Sequence, residues 1–81
     1  MTVRVLLFAT YADLFGRSSV EIAVSPPATV GDVLRQLRGA FADASQLPAR
    51  PLVAVNQVHA RLETPIADGD ELALLPPMAG G

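Results

Sequence analysis

The sequence predicts a single α+β domain, a mixed sheet with one main helix packed on one face. Three observations lead there. Apolar residues alternate with a period of two near both ends of the chain, in TVRVLLFA and in ELALL. One run, Val30, Val33, Leu34, Leu37 and Phe41, recurs at helical spacing. Between these lie short β-branched stretches punctuated by proline, glycine and asparagine. No segment repeats and no linker divides the 81 residues, so the expected organisation is one body over residues 1–75 and an extended, flexible tail over 76–81.

The elements follow in order. Thr2–Ala9 reads as a strand with Val3, Val5 and Leu7 on one face and Arg4, Leu6 and Phe8 on the other. Thr10–Phe15 is a short helical turn or loop closed by Gly16, and Ser18–Val24 returns as a second strand. Ser25-Pro26-Pro27 breaks the pattern. Thr29 then has the character of a helix N-cap, with Asp32 standing three residues on where a capping box carries glutamate. The helix that follows spans about three turns, weakened near Gly39, and burial of its five apolar side chains is worth a gross ~8–15 kcal/mol at ~1.5–3 each. Asp43–Pro51 reads as a loop. Leu52–Val55 and Val58–Arg61 are short strands about an Asn56-Gln57 turn, because asparagine tolerates positive φ. Glu63-Thr64-Pro65 breaks the chain again and Asp68-Gly69-Asp70 turns it. Glu71–Leu75 is the last strand, with Leu72 and Leu74 on one face and Glu71, Ala73 and Leu75 on the other.

Composition narrows the chemistry. Hydrophobic residues make up 51% of the chain, more apolar surface than so small a body easily hides. If the first and last strands are neighbours, Leu6, Phe8, Ala73 and Leu75 form one exposed patch beside the tail, and a patch of that kind points to a partner. There is no cysteine, so disulfides, thiolate metal sites and a side-chain thiol nucleophile are excluded. All six basic residues are arginine, which excludes lysine-linked self-conjugation and Schiff-base chemistry. A net charge of −2 without a basic run argues against nucleic acid, and no apolar stretch reaches membrane-spanning length. The expectation is a soluble cytoplasmic protein. Asp68, Asp70 and Glu71 read as a solvated turn rather than a metal site, since the calcium-loop pattern is missing. His59, the single histidine, reads as a hairpin surface residue with no nucleophile to activate.

The chemistry that remains is at the end, Leu74-Leu75-Pro76-Pro77-Met78-Ala79-Gly80-Gly81. Two prolines stop sheet pairing and stiffen the chain. The six residues from Pro76 span up to ~20 Å at ~3.3 Å each, enough to reach into another protein's pocket. A terminal carboxylate with a pKa of ~3.5 is ionised at neutral pH and able to attack an activated phosphate, and the glycines let it pass a narrow channel. Its activation requires ATP and a separate enzyme, so the chain reads as a carrier rather than a catalyst.

The segment LVAVNQVHARLETPIADGDELALLPPMAGG, residues 52–81, resembles the small subunit of molybdopterin synthase, as does the opening VRVLLFATYADLFG. The shared features are the AVNQ hairpin, the DGDEL turn and the LPPMAGG end. The resemblance implies a ubiquitin-like β-grasp fold. It implies that Gly81 is adenylated by an ATP-dependent activating enzyme and converted to a thiocarboxylate, with a sulfurtransferase or cysteine desulfurase as sulfur donor. The sulfur is then delivered to cyclic pyranopterin monophosphate in the large subunit, which holds the catalytic pocket, building the molybdopterin dithiolene. Gly80 with Pro76, Pro77, Met78 and Ala79 forms the inserted tail, and Phe8 and Leu75 match interface positions. No cofactor or metal is expected on this chain; ATP is used by the activating enzyme. A heterotetramer of two large and two small subunits is implied likewise. One departure stands out: Ala12 occupies the family's usual arginine position and Asp13 the glutamate, so a partner contact by that arginine does not carry over. The rival readings are a sulfur carrier for thiamine synthesis or tRNA thiolation, against which Pro76-Pro77 weighs, and a non-reacting ubiquitin-like adaptor.

Overall fold

The computed structural model describes residues 1–76. Period-two alternation in β1 (Thr2–Leu7) places Val3, Val5 and Leu7 on one face, each at most 2% exposed. β1 pairs antiparallel with β2 (Ser19–Ala23) on one side and parallel with β7 (Glu71–Leu75) on the other. β7 pairs antiparallel with β4 (Leu52–Val55), and β4 with β5 (Val58–Ala60). The resulting five-stranded mixed sheet has the order β2-β1-β7-β4-β5. This is the β-grasp arrangement that the sequence resemblance implies, with the first and last strands adjacent at the centre.

The main helix, α2 (Val30–Ala40), covers one face of the sheet. Val30, Val33, Leu34 and Leu37 turn inward to join Val3, Val5, Leu72 and Leu74 in the core. Its start is the expected capping box. The Asp32 N–H donates to the Thr29 hydroxyl (3.3 Å), and the Thr29 N–H donates to the Asp32 carboxylate (2.9 Å). The first helical amides also have partners: Val30 N–H donates to the Thr64 carbonyl (2.9 Å) and Gly31 N–H to that of Leu62 (2.8 Å). A side chain at position 31 would bring its Cβ to 3.3 Å from the Leu62 oxygen, so this close backbone approach explains the glycine. At the other end Phe41, half-buried, packs edge-on against Phe15 with centroids 5.7 Å apart. The Arg17 guanidinium lies 5.6 Å from the Phe41 centroid.

Four details differ from the sequence reading. The first strand stops at Leu7 rather than Ala9, because Ala9 takes φ +50° and swings the chain into α1 (Thr10–Phe15). That helix buries Tyr11 and Phe15, and the Phe8 carbonyl accepts the Tyr11 N–H at 3.0 Å. The second and return strands are each trimmed, to Ser19–Ala23 and Val58–Ala60. The supposed loop after α2 contains a 3-10 turn (Ala42–Gln46) with Ala44 and Leu47 buried. Arg38 holds it by donating to the carbonyls of Ala44 (3.1 Å) and Pro48 (2.7 Å). Finally, the Pro65 break is itself a two-residue strand. β6 (Pro65–Ile66) pairs with β3 (Ala28–Thr29), a short edge where proline's missing N–H is tolerated.

Candidate functional site

The face of the sheet opposite α2 carries the candidate site. Its side chains are the alternate residues of the strands whose other residues make the core. In β1 these are Arg4 and Leu6, followed by Phe8; in β7 they are Glu71, Ala73 and Leu75. The register sets Leu6 beside Ala73 and Arg4 beside Glu71. Phe8 is 45% exposed, and Leu6, Ala73 and Leu75 are half-buried. The adjacency assumed for the two strands therefore exists, and it brings the four expected patch residues together.

Polarity changes along this face. At the end where β1 begins, Arg4 sits between Glu21 of β2 and Glu71 of β7. A concavity of about 390 Å³ there is lined by Thr2, Arg4, Glu21, Asp68, Gly69, Asp70 and Glu71. Toward the end where β7 finishes the lining turns apolar, and a groove of about 300 Å³ runs between Leu6, Phe8, Ala54, Gln57, His59, Glu71, Ala73 and Leu75. Pro76 continues the chain from that apolar end. Leu52, 48% exposed and paired with Leu75, extends the apolar surface across β4.

The sequence reading missed part of this groove. Ala54 and Gln57 were assigned to the hairpin alone, and His59 was read as a hairpin surface residue. His59 is exposed, yet it borders the groove because β4 brings β5 alongside β7. Alanine carries no pattern signal of its own, and the hairpin's side-chain directions become legible only once β4 is known to pair with β7.

The acidic turn before β7 does structural work that fixes this face. Asp70 accepts hydrogen bonds from the Ala67 N–H (2.8 Å) and the Asn56 amide (3.0 Å), and these hold its pKa below the ordinary aspartate value. Asn56 in turn accepts the Glu71 N–H at 3.0 Å, joining the β4–β5 turn to the start of β7. Asn56 and Gln57 both have positive φ, 49° and 71°, as the tight turn demands. Asp68 accepts the Thr2 N–H at 3.1 Å, tying the same turn to β1. β1, β7 and the β4–β5 hairpin are thus pinned together at the polar end of the groove.

The remaining expected site residues, Pro77, Met78, Ala79, Gly80 and the reacting Gly81, lie outside the described residues; Pro76, half-buried, lies within them. Among the described residues no helix is long and apolar enough to cross a membrane.

Known proteins agree with this architecture. The model of the ThiS family matches residues 5–81. The chain is 37% identical over 82 residues to a molybdopterin synthase sulfur carrier subunit of Escherichia coli (strain K12), covering 98% of this chain and 99% of that one. The crystal structure of SAMP1 from Haloferax volcanii superposes with a TM-score of 0.88 at 36% identity, covering 100% of both chains. A chain from the complex of subunits 1 and 2 of a molybdopterin-converting factor of Helicobacter pylori 26695 superposes with a TM-score of 0.70 at 26% identity, again over 100% of both.

Proposed function

The chain belongs to the ThiS family and is a sulfur carrier of that type, and from this we propose that it serves as the small subunit of molybdopterin synthase. In this reading an ATP-dependent adenylating enzyme activates the Gly81 carboxylate, and a sulfurtransferase or cysteine desulfurase supplies the sulfur that makes it a thiocarboxylate. The large subunit binds residues 1–75 through the open sheet face and receives residues 76–81 as the inserted tail. There the sulfur passes to cyclic pyranopterin monophosphate.

The observation that carries this reading is the continuity of patch and tail. Leu6, Phe8, Ala73 and Leu75 lie together on the uncovered face, and the chain leaves that patch directly at Pro76. A partner seated on the patch therefore meets the start of the tail at Pro76. The Helicobacter pylori relative, which occurs in a complex with a second subunit, supports such docking. Removal of Gly81 should leave circular dichroism and thermal melting unchanged while stopping pterin sulfuration by the reconstituted complex. Retained sulfuration would sink the carrier reading.

The likeness to a small archaeal modifier protein supports a second reading, a carrier of the same chemistry serving a different acceptor. Intact-mass spectrometry of the chain with ATP, activating enzyme and sulfur donor tests the chemistry common to both, as one oxygen exchanged for sulfur at the C-terminal peptide. Adding the large subunit and pterin then separates them, since discharge of that sulfur onto pterin belongs to the first reading alone.

A further inference from the structure

The groove on the open face has a shape that the strand register explains. Ala73 and Ala54 are direct cross-strand partners on β7 and β4. On the outer sides of this pair stand Leu6, opposite Ala73, and His59, opposite Ala54. The order across the sheet is thus large, small, small, large. Phe8 and Leu75 close the groove toward the tail. Ala54 is 7% exposed although it belongs to the face away from α2 and stands outside the helix-side core. It is buried because its neighbours rise around it, which makes it a floor.

We propose that this groove is a socket for one large apolar side chain of the partner's docking surface, with Ala54 and Ala73 as its floor. The inference rests on the docking reading above and adds the chemistry of what docks. The groove's volume of about 300 Å³ leaves room for a leucine, methionine or phenylalanine side chain. Water over an alanine floor finds few hydrogen-bond partners, so an apolar group gains by displacing it. The apolar centre with Gln57, His59 and Glu71 along its edge matches the layout of protein interfaces, an apolar middle inside a polar rim. The socket is also continuous with the surface from which the tail departs. A small molecule is a poorer occupant, because cavities for such ligands enclose most of the ligand and this groove lies open on a sheet.

The test measures binding of the full-length chain to the large subunit by calorimetry, using Ala73→Leu, Ala73→Ser and Phe8→Asp. Ala73 is half-buried on a strand, so leucine there fills the groove without entering the core. Ala73→Leu should weaken binding by about 30-fold or more and Ala73→Ser by less than about fivefold, in line with a blocked central anchor. An alanine scan of the large subunit should find one large apolar residue whose truncation weakens the wild-type chain by about tenfold yet costs the Ala73→Leu chain nothing further. If Phe8→Asp abolishes binding while Ala73→Leu stays within about threefold of wild type, the socket is wrong and the docking face stands. If Phe8→Asp also binds normally, the docking reading itself is wrong. A chain that self-associates, and that Ala73→Leu makes monomeric without affecting the large subunit, would assign the socket to a second copy and overturn the proposal.

Discussion

The two faces of the central strands are built from alternate residues of the same segments, and they differ sharply. On the helix side Val3, Val5, Leu72 and Leu74 are completely buried. One residue along, Leu6 and Leu75 are half-buried, and Phe8 is nearly half exposed. Both faces are apolar, so hydropathy alone does not tell them apart. The difference lies in what covers them: α2 closes one face, and among the described residues no helix packs on the other. A fold that needed only stability would place polar groups on the uncovered side. This chain does so around Arg4 and stops doing so where the tail begins.

The comparison is sharpest between Leu74 and Leu75, adjacent in sequence and opposite in face. Leu74→Ala should cost about 2–5 kcal/mol of stability through lost burial and a residual cavity, read by urea denaturation. Leu75→Ala should stay within about 1 kcal/mol of wild type in the same assay while weakening large-subunit binding about tenfold. Equal destabilisation by the two would erase the distinction between the faces. A smaller effect is expected at the helix that creates it. Thr29→Ala removes the hydroxyl acceptor of the capping box and should cost about 1 kcal/mol, lowering the melting temperature by ~4–8 °C without changing docking.

The smallest effect is a dependence on acid. The Thr29 backbone N–H and then the Arg35 guanidinium hold Asp32 below its ordinary pKa, and the Ala67 N–H and the Asn56 amide do the same for Asp70. A depressed folded pKa adds stability that is fully present above the unfolded value of 3.8 and disappears as pH falls through the folded value. Urea midpoints should therefore be flat near neutrality and fall below about pH 4, with a shallower fall in an Asp32→Asn, Asp70→Asn double variant. An acid limb unchanged by that variant would show that other carboxylates control it.

Much of this was legible from period and punctuation. The inward sets Val3, Val5, Leu7 and Leu72, Leu74 follow from alternation, and Thr29 with Asp32 announced the start of α2. Asn56-Gln57 marked a turn that does require positive φ. The β3–β6 pair was not legible, because two residues establish no period and Pro65 reads as a breaker. Nor were the burial of Ala44 and Leu47, where Arg38 hydrogen bonds rather than a repeating pattern hold the chain inward. In the candidate site, Leu6, Phe8, Ala73 and Leu75 followed from strand faces plus one assumed adjacency. Ala54 and His59 required the β7–β4–β5 order, which depends on pairings distant in sequence.

The central pairing of β1 with β7 has a consequence for how the protein is made. A ribosome adds ~5–20 residues per second, so the first strand waits roughly 3–14 s for residues 71–75 to exist. Until then β1 has β2 as a neighbour, while β4 and β5 lack the strand that joins them to it. The groove draws its walls from β1, β7, β4 and β5, so a half-synthesised chain has no docking surface to offer. A partner that recognises this face thereby passes over chains that stop short of β7.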